Sequence, residues 1–314
     1  MAVKPEIPII LGPTAIGKTT VGILVCEALN GEIISADSRQ IYRKMSVGSA
    51  KPTTEEVSRV RHHLIDFLDP SEVFSAGEFI RRSMDAAEDI ISRGKLPIVV
   101  GGAGLYIQAL TEGIFEGRSA DPEVRAQLEA EYDAEGSEKT LNRLREIDPN
   151  YAKIVHPNDR KKLVRALEIY IVTGMTISEL SARQNDGSVK GIFCGLELPR
   201  EVLYQRIERR TDIMLESGLI DEVEDLRAAG YGKELNSINS PGYIEVYDYL
   251  DGRIDYDEMV SEIKKNTRRY AKRQMTWFRR NTSIRWFDMS AGSETAAQGV
   301  IAYIKGALEK QLMC

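Results

Sequence analysis

The chain is predicted to adopt an α/β fold: a parallel sheet flanked by helices, with a helical domain inserted between two strands and a helical C-terminal region. Three features of the sequence predict it. The apolar run Ile7 to Leu11 leads through a glycine-rich loop into helically spaced apolar residues. Further apolar runs, Ile33-Ile34 and Ile98-Val99-Val100, alternate with helical stretches. Between about Gly117 and Lys190 strand-like runs cease, and charged, helix-forming sequence takes over.

Composition is compatible with this. The chain has 314 residues, 42% hydrophobic and 29% charged, enough for one large domain or two modest ones. No apolar stretch approaches the roughly 18 residues of a membrane span. Met1-Ala2-Val3-Lys4-Pro5 runs into a strand-like segment rather than a signal-peptide core, so a cytoplasmic protein with no membrane partner is expected. Cys26, Cys194 and Cys314 show no paired spacing, which argues against a disulfide framework or a zinc site and leaves reduced thiols as the default.

Taken in order, Ile7 to Leu11 is the first strand, and Thr19 to Leu29 is a helix with apolar Val21, Leu24, Val25 and Ala28 on its spacing. Ile33-Ile34 and Ile98 to Val100 are buried strands, the second following a helix over Ala76 to Arg93 and a Gly94-Lys95 break. Such alternation implies a parallel sheet covered on both faces. A fourth strand is predicted at Ile192 to Leu198, ahead of Pro199. Helices are predicted at Pro122 to Tyr132, Ser137 to Ile147 and Asp159 to Val172, and joints at Gly113 to Ser119 and Asn185 to Gly191. The expected division is a core of residues 1–116 and 191–314, ending in a basic helical segment, and an inserted helical domain of residues 117–190.

The loop Gly12-Pro13-Thr14-Ala15-Ile16-Gly17-Lys18-Thr19, with Thr20 after it, has the composition of a phosphate-binding P-loop. In such a loop backbone N–H groups surround phosphate oxygens, the lysine reaches a terminal phosphate, and the following hydroxyl can ligate Mg²⁺. The helix that follows adds its positive end to the anion site. Strand before and helix after make the fold P-loop NTPase-like. The motif also occurs in ATP-binding proteins and by itself does not name the phosphate ligand.

Ser35-Ala36-Asp37-Ser38-Arg39-Gln40-Ile41-Tyr42 follows a predicted buried strand, so its side chains are expected at the carboxyl end of the sheet, where ligands of open α/β folds sit. Asp37 at that point has three open roles: Mg²⁺ partner, general base or helix cap. Gly101-Gly102-Ala103-Gly104-Leu105-Tyr106 makes a second glycine-rich turn after the Ile98 strand, a weak signal alone. Adjacent His62 and His63 diverge and lack a third ligand, which favours a structural or hydrogen-bonding pair over a metal site.

Charge is unevenly spread. The net charge is −6, yet nine of the 42 Lys and Arg residues lie between Lys264 and Arg285 with no acidic residue among them. Ile263, Tyr270 and Trp277 recur every seven residues there, so one stripe can pack while the cations stand out. A merely solvated helix face usually mixes signs. An RNA or pyrophosphate partner is the better expectation.

Taken together, these segments resemble the tRNA dimethylallyltransferases, also called tRNA isopentenyltransferases. The resemblance is carried by the P-loop, Ser35-Ala36-Asp37-Ser38 with Gln40 and Tyr42, Ala50-Lys51-Pro52-Thr53, His62 to Asp66, and Gly101-Gly102 with Gly104-Leu105-Tyr106. It continues through Asp159 to Leu167, Arg206-Ile207 with Arg210 and Met214, Gly218 to Val223, Gly242-Tyr243 and Lys272 to Arg279, covering nearly the whole chain in order.

The resemblance implies transfer of a dimethylallyl group from dimethylallyl diphosphate to the exocyclic amine of the adenosine 3′ of a tRNA anticodon, with release of diphosphate. It implies Lys18, Asp37 and Arg210 as catalytic residues, Asp37 accepting the amine proton and Arg210 countering diphosphate charge. It implies a diphosphate site of Gly12 to Thr20 with Ala103, and Mg²⁺ on Thr19. The tRNA anticodon stem-loop is expected to meet Asp37-Ser38-Arg39-Gln40, Lys161-Lys162-Leu163-Val164-Arg165, Asn239-Ser240-Pro241-Gly242-Tyr243-Ile244 and Lys272-Arg273-Gln274-Met275-Thr276-Trp277-Phe278-Arg279. Lys161, Lys162, Arg165, Lys272, Arg273 and Arg279 suit phosphates, and Gln40 and Gln274 suit base edges. The family implies a monomer, here in the short prokaryotic form without a zinc-finger tail.

Three positions depart from the family pattern. Ala103 stands where threonine is usual, Pro241 where an aliphatic residue is usual, and Ile244 where lysine or arginine is usual. Losing one diphosphate donor at position 103 costs on the order of 2–4 kcal/mol of transition-state stabilisation. Three other functions share part of the pattern: an adenylate isopentenyltransferase, a P-loop small-molecule kinase, and a weakly active tRNA-binding relative. The first two have no need of the basic Trp277 segment.

Overall fold

The computed structural model describes residues 4–113, 121–182 and 187–312. Most of the joint expected over Gly113 to Ser119, the first two residues of that over Asn185 to Gly191, and Cys314 lie outside the described residues. The chain forms two compact units, Met1–Thr111 with Ser188–Cys314, and Glu112–Gly187.

The larger unit opens with β1 (Glu6–Leu11), α1 (Lys18–Leu29), β2 (Gly31–Ala36), α2 (Thr54–Arg59), β3 (His62–His63), α3 (Ala76–Ser92), β4 (Leu96–Gly101) and α4 (Gly104–Glu112). The inserted unit holds α5 (Pro122–Ile147), α6 (Pro149–Ala152), α7 (Arg160–Thr173) and α8 (Ile177–Ala182). The larger unit then resumes with β5 (Lys190–Glu197), α9 (Arg200–Glu216), α10 (Leu219–Ala228), α11 (Tyr243–Leu250), α12 (Tyr256–Phe278), β6 (Arg285–Asp288) and α13 (Ser293–Leu312).

The strands form one six-stranded sheet in the order β3-β2-β4-β1-β5-β6, every neighbouring pair parallel. Ile9, Leu11, Ile34 and Val99 belong to one apolar cluster, and Ile10, Ile33, Ile98 and Cys194 to another. That alternation is the period of two expected when both faces of a parallel sheet are buried. The edge strands β3 and β6 are additions to the four strands read from sequence. They are two and four residues long, too short to display a period.

Local chemistry sets the helix ends. Ser75 caps α3 by accepting from Glu78 N at 3.1 Å, and Asp255 caps α12 by accepting from Glu258 N at 2.8 Å. Helix α5 is two helical pieces meeting at Gly136, whose φ of +82° interrupts the helix between the two stretches predicted there.

His63 Nε2 lies 2.8 Å from Glu32 Oε2, and His62 Nδ1 2.7 Å from Val60 O. Arg93 and Lys95 also pair with Glu32, which is buried. These ion pairs hold the Glu32 carboxyl well below the usual carboxylate range, the Arg93 hydrogen bond contributing most. Burial pushes the Cys26 and Cys194 thiols up to about 12, so both are inert at neutral pH. Among the described residues no helix is long and apolar enough to cross a membrane.

The inserted unit has its own core of Leu128, Leu141, Leu144, Leu163 and Leu167. Glu168 is buried within it and accepts from Asp121 N at 3.0 Å, Arg125 at 2.8 Å and Arg165 at 2.8 Å.

Candidate active site

The loop between β1 and α1 turns through left-handed backbone. Gly17, the N-cap of α1, has φ +102°, a conformation that disfavours any side chain, and Ala15 adopts φ +63°. Among the described residues no side chain caps α1, so its first-turn N–H groups remain available for an external acceptor. Lys18 folds over its own loop, donating from Nζ to Pro13 O at 2.8 Å. Desolvation in the cleft lowers the Lys18 pKa to about 8; Asp37 opposes that shift and Arg210 adds to it. Burial likewise lowers the pKa of Arg210, against the attraction of Asp37.

Asp37 follows directly on β2, at the carboxyl edge of the sheet. Its Oδ1 accepts from Arg39 N at 2.8 Å and from Gln40 N at 3.3 Å, closing the turn after the strand. Oδ2 has no protein partner among the described residues. Asp37 thus closes a turn, with no helix to cap, through one oxygen and keeps a free carboxylate acceptor in the other.

These groups border a cavity of about 790 Å³ within the larger unit, the size of a small-molecule site. Its walls come from Thr14, Ala15 and Gly17 to Thr20, from Asp37 to Gln40, from Gly48 to Lys51, and from Asn239 to Gly242 with Ile244. Helix α9 adds Arg206, Arg209 and Arg210, and α12 adds Ile263, Tyr270, Arg273 and Gln274. The cavity thus gathers most of the P-loop, the Asp37 segment, part of the 239–244 segment and the middle of the basic helix.

Other expected site residues stand behind its walls. Gly12, Pro13 and Ile16 are buried; Pro13 has no N–H, and its carbonyl holds Lys18 instead. Ile16 O accepts from Arg206 Nη1 at 3.1 Å. The N–H of Ala103 donates to Ala36 O at 3.0 Å, and its methyl packs on the apolar core, so residue 103 offers no donor to a phosphate. Tyr243, Phe278, Leu163 and Val164 are buried in the core. Met275 is half-buried.

Several polar side chains are already engaged. Arg39 donates to Asn236 O at 2.6 Å and Asn239 O at 3.0 Å, which ties two cavity walls together. Gln40 Nε2 donates to Ala50 O at 2.9 Å, while its Oε1 accepts from Ser35 Oγ at 3.4 Å. Gln274 is buried, with its Oε1 on Thr14 N at 2.8 Å and its Nε2 on Gly102 O at 3.0 Å. Gly242 N donates to Glu245 Oε2 at 2.7 Å. Ser240 Oγ is buried without a protein partner among the described residues.

The basic segment divides in two. Lys264 pairs with Asp212 at 2.6 Å and Arg268 with Glu208 at 2.7 Å, both acids on α9, and Lys265 pairs with Glu262 at 2.6 Å. Lys272, Arg273, Thr276, Trp277 and Arg279 are exposed. Arg280 lies 6.0 Å from the Trp277 ring centroid. In the inserted unit Lys161 and Lys162 are exposed, Lys162 pairing with Asp159 at 3.0 Å, and Arg165 is engaged by Glu168.

Arg206 and Arg209 were not assigned to the site from sequence. The signal was present: with Arg210 they fall at i, i+3 and i+4 on α9, one helix face.

A family model described as IPP transferase matches residues 40–281. The tRNA dimethylallyltransferase of Thermotoga maritima is 48% identical over 91% of this chain and 93% of its own. That of Bacillus cereus is 43% identical over 98% and 97%. The crystal structure of the tRNA isopentenylpyrophosphate transferase from Bacillus halodurans is 41% identical, with a TM-score of 0.75 over 99% of both chains. A eukaryotic dimethylallyltransferase captured acting on tRNA is 29% identical, with a TM-score of 0.78 over 90% of this chain and 74% of its own.

Proposed function

The chain belongs to the IPP transferase family, that of the tRNA dimethylallyltransferases, and from that premise we propose that it transfers a dimethylallyl group from dimethylallyl diphosphate to the exocyclic amine of the adenosine 3′-adjacent to a tRNA anticodon. The observation that carries this reading is the free Asp37 Oδ2 in one cavity with Lys18 and Arg210. A proton acceptor and two cations share a site whose loop suits a phosphate.

Loop N–H groups, Lys18 and Arg210 hold the diphosphate and offset the charge that grows on it as the allylic C–O bond breaks. The amine nitrogen of the adenosine attacks the allylic carbon, and Asp37 Oδ2 takes the proton it sheds. A base must leave its stack to enter such a cavity, which favours a loop of RNA over a duplex. The exposed cations and Trp277 of α12, with Lys161 and Lys162 of the inserted unit, carry the anticodon stem-loop in this reading. The protein acts as a monomer in the cytoplasm.

Mg²⁺ fits the residues present. Among the described residues no group of three or more His, Cys, Asp or Glu could hold a metal, which removes an all-protein cage. Mg²⁺ instead takes one or two protein oxygens along with phosphates and water. Thr19, which borders the cavity and whose hydroxyl has no protein partner among the described residues, is the residue that would hold it. When bound, the ion would supply positive charge to the leaving diphosphate.

The test mixes purified protein with labelled dimethylallyl diphosphate, Mg²⁺ and unmodified tRNA, AMP or ATP, with mass spectrometry of the nucleosides. Label is expected in tRNA adenosine alone. Label in AMP but not in tRNA overturns the choice of acceptor, and ATP turnover without prenyl transfer overturns the chemistry.

A further inference from the structure

Gln274 joins three elements that the proposed reaction needs in register. It sits on α12, where neighbouring Arg273 and Trp277 are exposed while its own side chain is 7% exposed. Its Oε1 accepts from the backbone N–H of Thr14 in the phosphate loop at 2.8 Å, and its Nε2 donates to Gly102 O in the turn after β4 at 3.0 Å. A Cβ at Gly102 would stand 2.5 Å from Gln274 Nε2 and 3.5 Å from Lys18 Nζ. The amide therefore fills the space that the missing side chain leaves.

We propose that Gln274 is a positioning residue for the diphosphate loop and not a reader of tRNA bases, an inference that rests on assigning the cavity to the prenyl diphosphate. Among the described residues four side-chain hydrogen bonds hold the loop, one of them within it. Lys18 is tied to Pro13 O, Arg206 to Ile16 O, Arg210 to Thr14 Oγ1, and Gln274 to Thr14 N. Of these only the Gln274 contact reaches across to the Gly102 turn as well. It is also a neutral tie, so it draws no charge away from the cations that meet the ligand. Holding Thr14 in advance means the remaining amides do not have to be ordered when diphosphate arrives, which is where preorganisation raises affinity. A side chain spent on Thr14 and Gly102 has its carbonyl and one amide hydrogen committed inside the protein, unlike an amide displayed to a base edge.

Gln274→Met keeps the volume and removes both bonds. Binding of inorganic diphosphate, titrated by calorimetry without tRNA, is expected to weaken about tenfold or more. In steady-state transfer KM for dimethylallyl diphosphate rises and kcat falls, while tRNA affinity measured by filter binding stays unchanged. Gly102→Ala is the second variant. It keeps Gln274 but drives its amide from place, with the same signature expected, and it carries the test should Gln274→Met fail to fold. Unchanged diphosphate binding in either folded variant overturns the proposal. So does a loss of tRNA affinity with diphosphate binding intact in Gln274→Met, the mark of a base reader. Failure of the unaltered protein to prenylate tRNA would instead fault the assigned reaction, and the diphosphate titration would still judge Gln274.

Discussion

The Tyr243 hydroxyl donates to Glu222 Oε1 at 2.7 Å, and the same carboxylate accepts the N–H groups of Ser46, Val47 and Gly48 at 2.6, 2.7 and 3.0 Å. Burial, and after it the Glu222 charge, raises the pKa of Tyr243, which therefore stays a donor. One carboxylate of α10 thus anchors the 46–48 loop, which leads into the Gly48 to Lys51 wall of the cavity. Removing it strands several polar groups at once. Glu222→Ala is expected to lose about 2–4 kcal/mol of stability and Tyr243→Phe about 1 kcal/mol, read by urea denaturation. Equal losses in the two variants would mean that the loop amides are not held by the carboxylate.

Asp37 closes a turn and, in the proposed reaction, takes a proton; one substitution separates the two roles. Asparagine can still accept from Arg39 N and Gln40 N through its carbonyl oxygen, but it cannot take a proton. Asp37→Asn should therefore keep its melting temperature and tRNA affinity while single-turnover transfer falls by about 10²–10⁴. A variant that transfers at near the original rate excludes Asp37 as the base.

Lys18 ties activity and stability to alkaline pH in opposite directions. Its pKa drops from 10.5 to about 8 on folding, so between those values the unfolded chain binds more protons than the folded one. Stability without ligand must then rise with pH across that window. Relative to Lys18→Met, the unaltered protein should show a deficit that is constant below about pH 8 and shrinks above it, measured by denaturation at several pH values. In the proposed reading the ammonium meets the diphosphate, so affinity should fall as pH passes about 8. In Lys18→Arg, which does not titrate there, that fall should be reduced. Parallel pH curves for Lys18→Arg and the unaltered protein would contradict this.

Much of the sheet was legible because its cause is local. Ile9, Ile10, Ile33, Ile34, Ile98 and Val99 alternate between two buried faces whatever the rest of the chain does, so runs of apolar residues announce the central strands. The edge strands had no such signal. His62-His63 and Arg285 to Asp288 pair at the sheet margins only because their neighbours offer unpaired backbone, and they read as a histidine pair and as the end of a basic tract.

At the site, the division falls between residue type and residue commitment. Asp37, Lys18 and the loop are recognisable because their spacing alone puts a carboxylate after one strand and amides, lysine and hydroxyl after another. The sequence determined by itself that a loop of P-loop composition leads into α1, since its eight contiguous residues carry the pattern. It also determined that α12 is rich in cations. Tertiary structure alone decided which of those cations are spent. Asp212 and Glu208 neutralise Lys264 and Arg268 from a helix about fifty residues earlier, and Thr14 and Gly102 take up Gln274 from elements far upstream. Hydrogen bonds and ion pairs form between neighbours in space, and that adjacency exists only once the sheet has brought α9, α12 and the loop together.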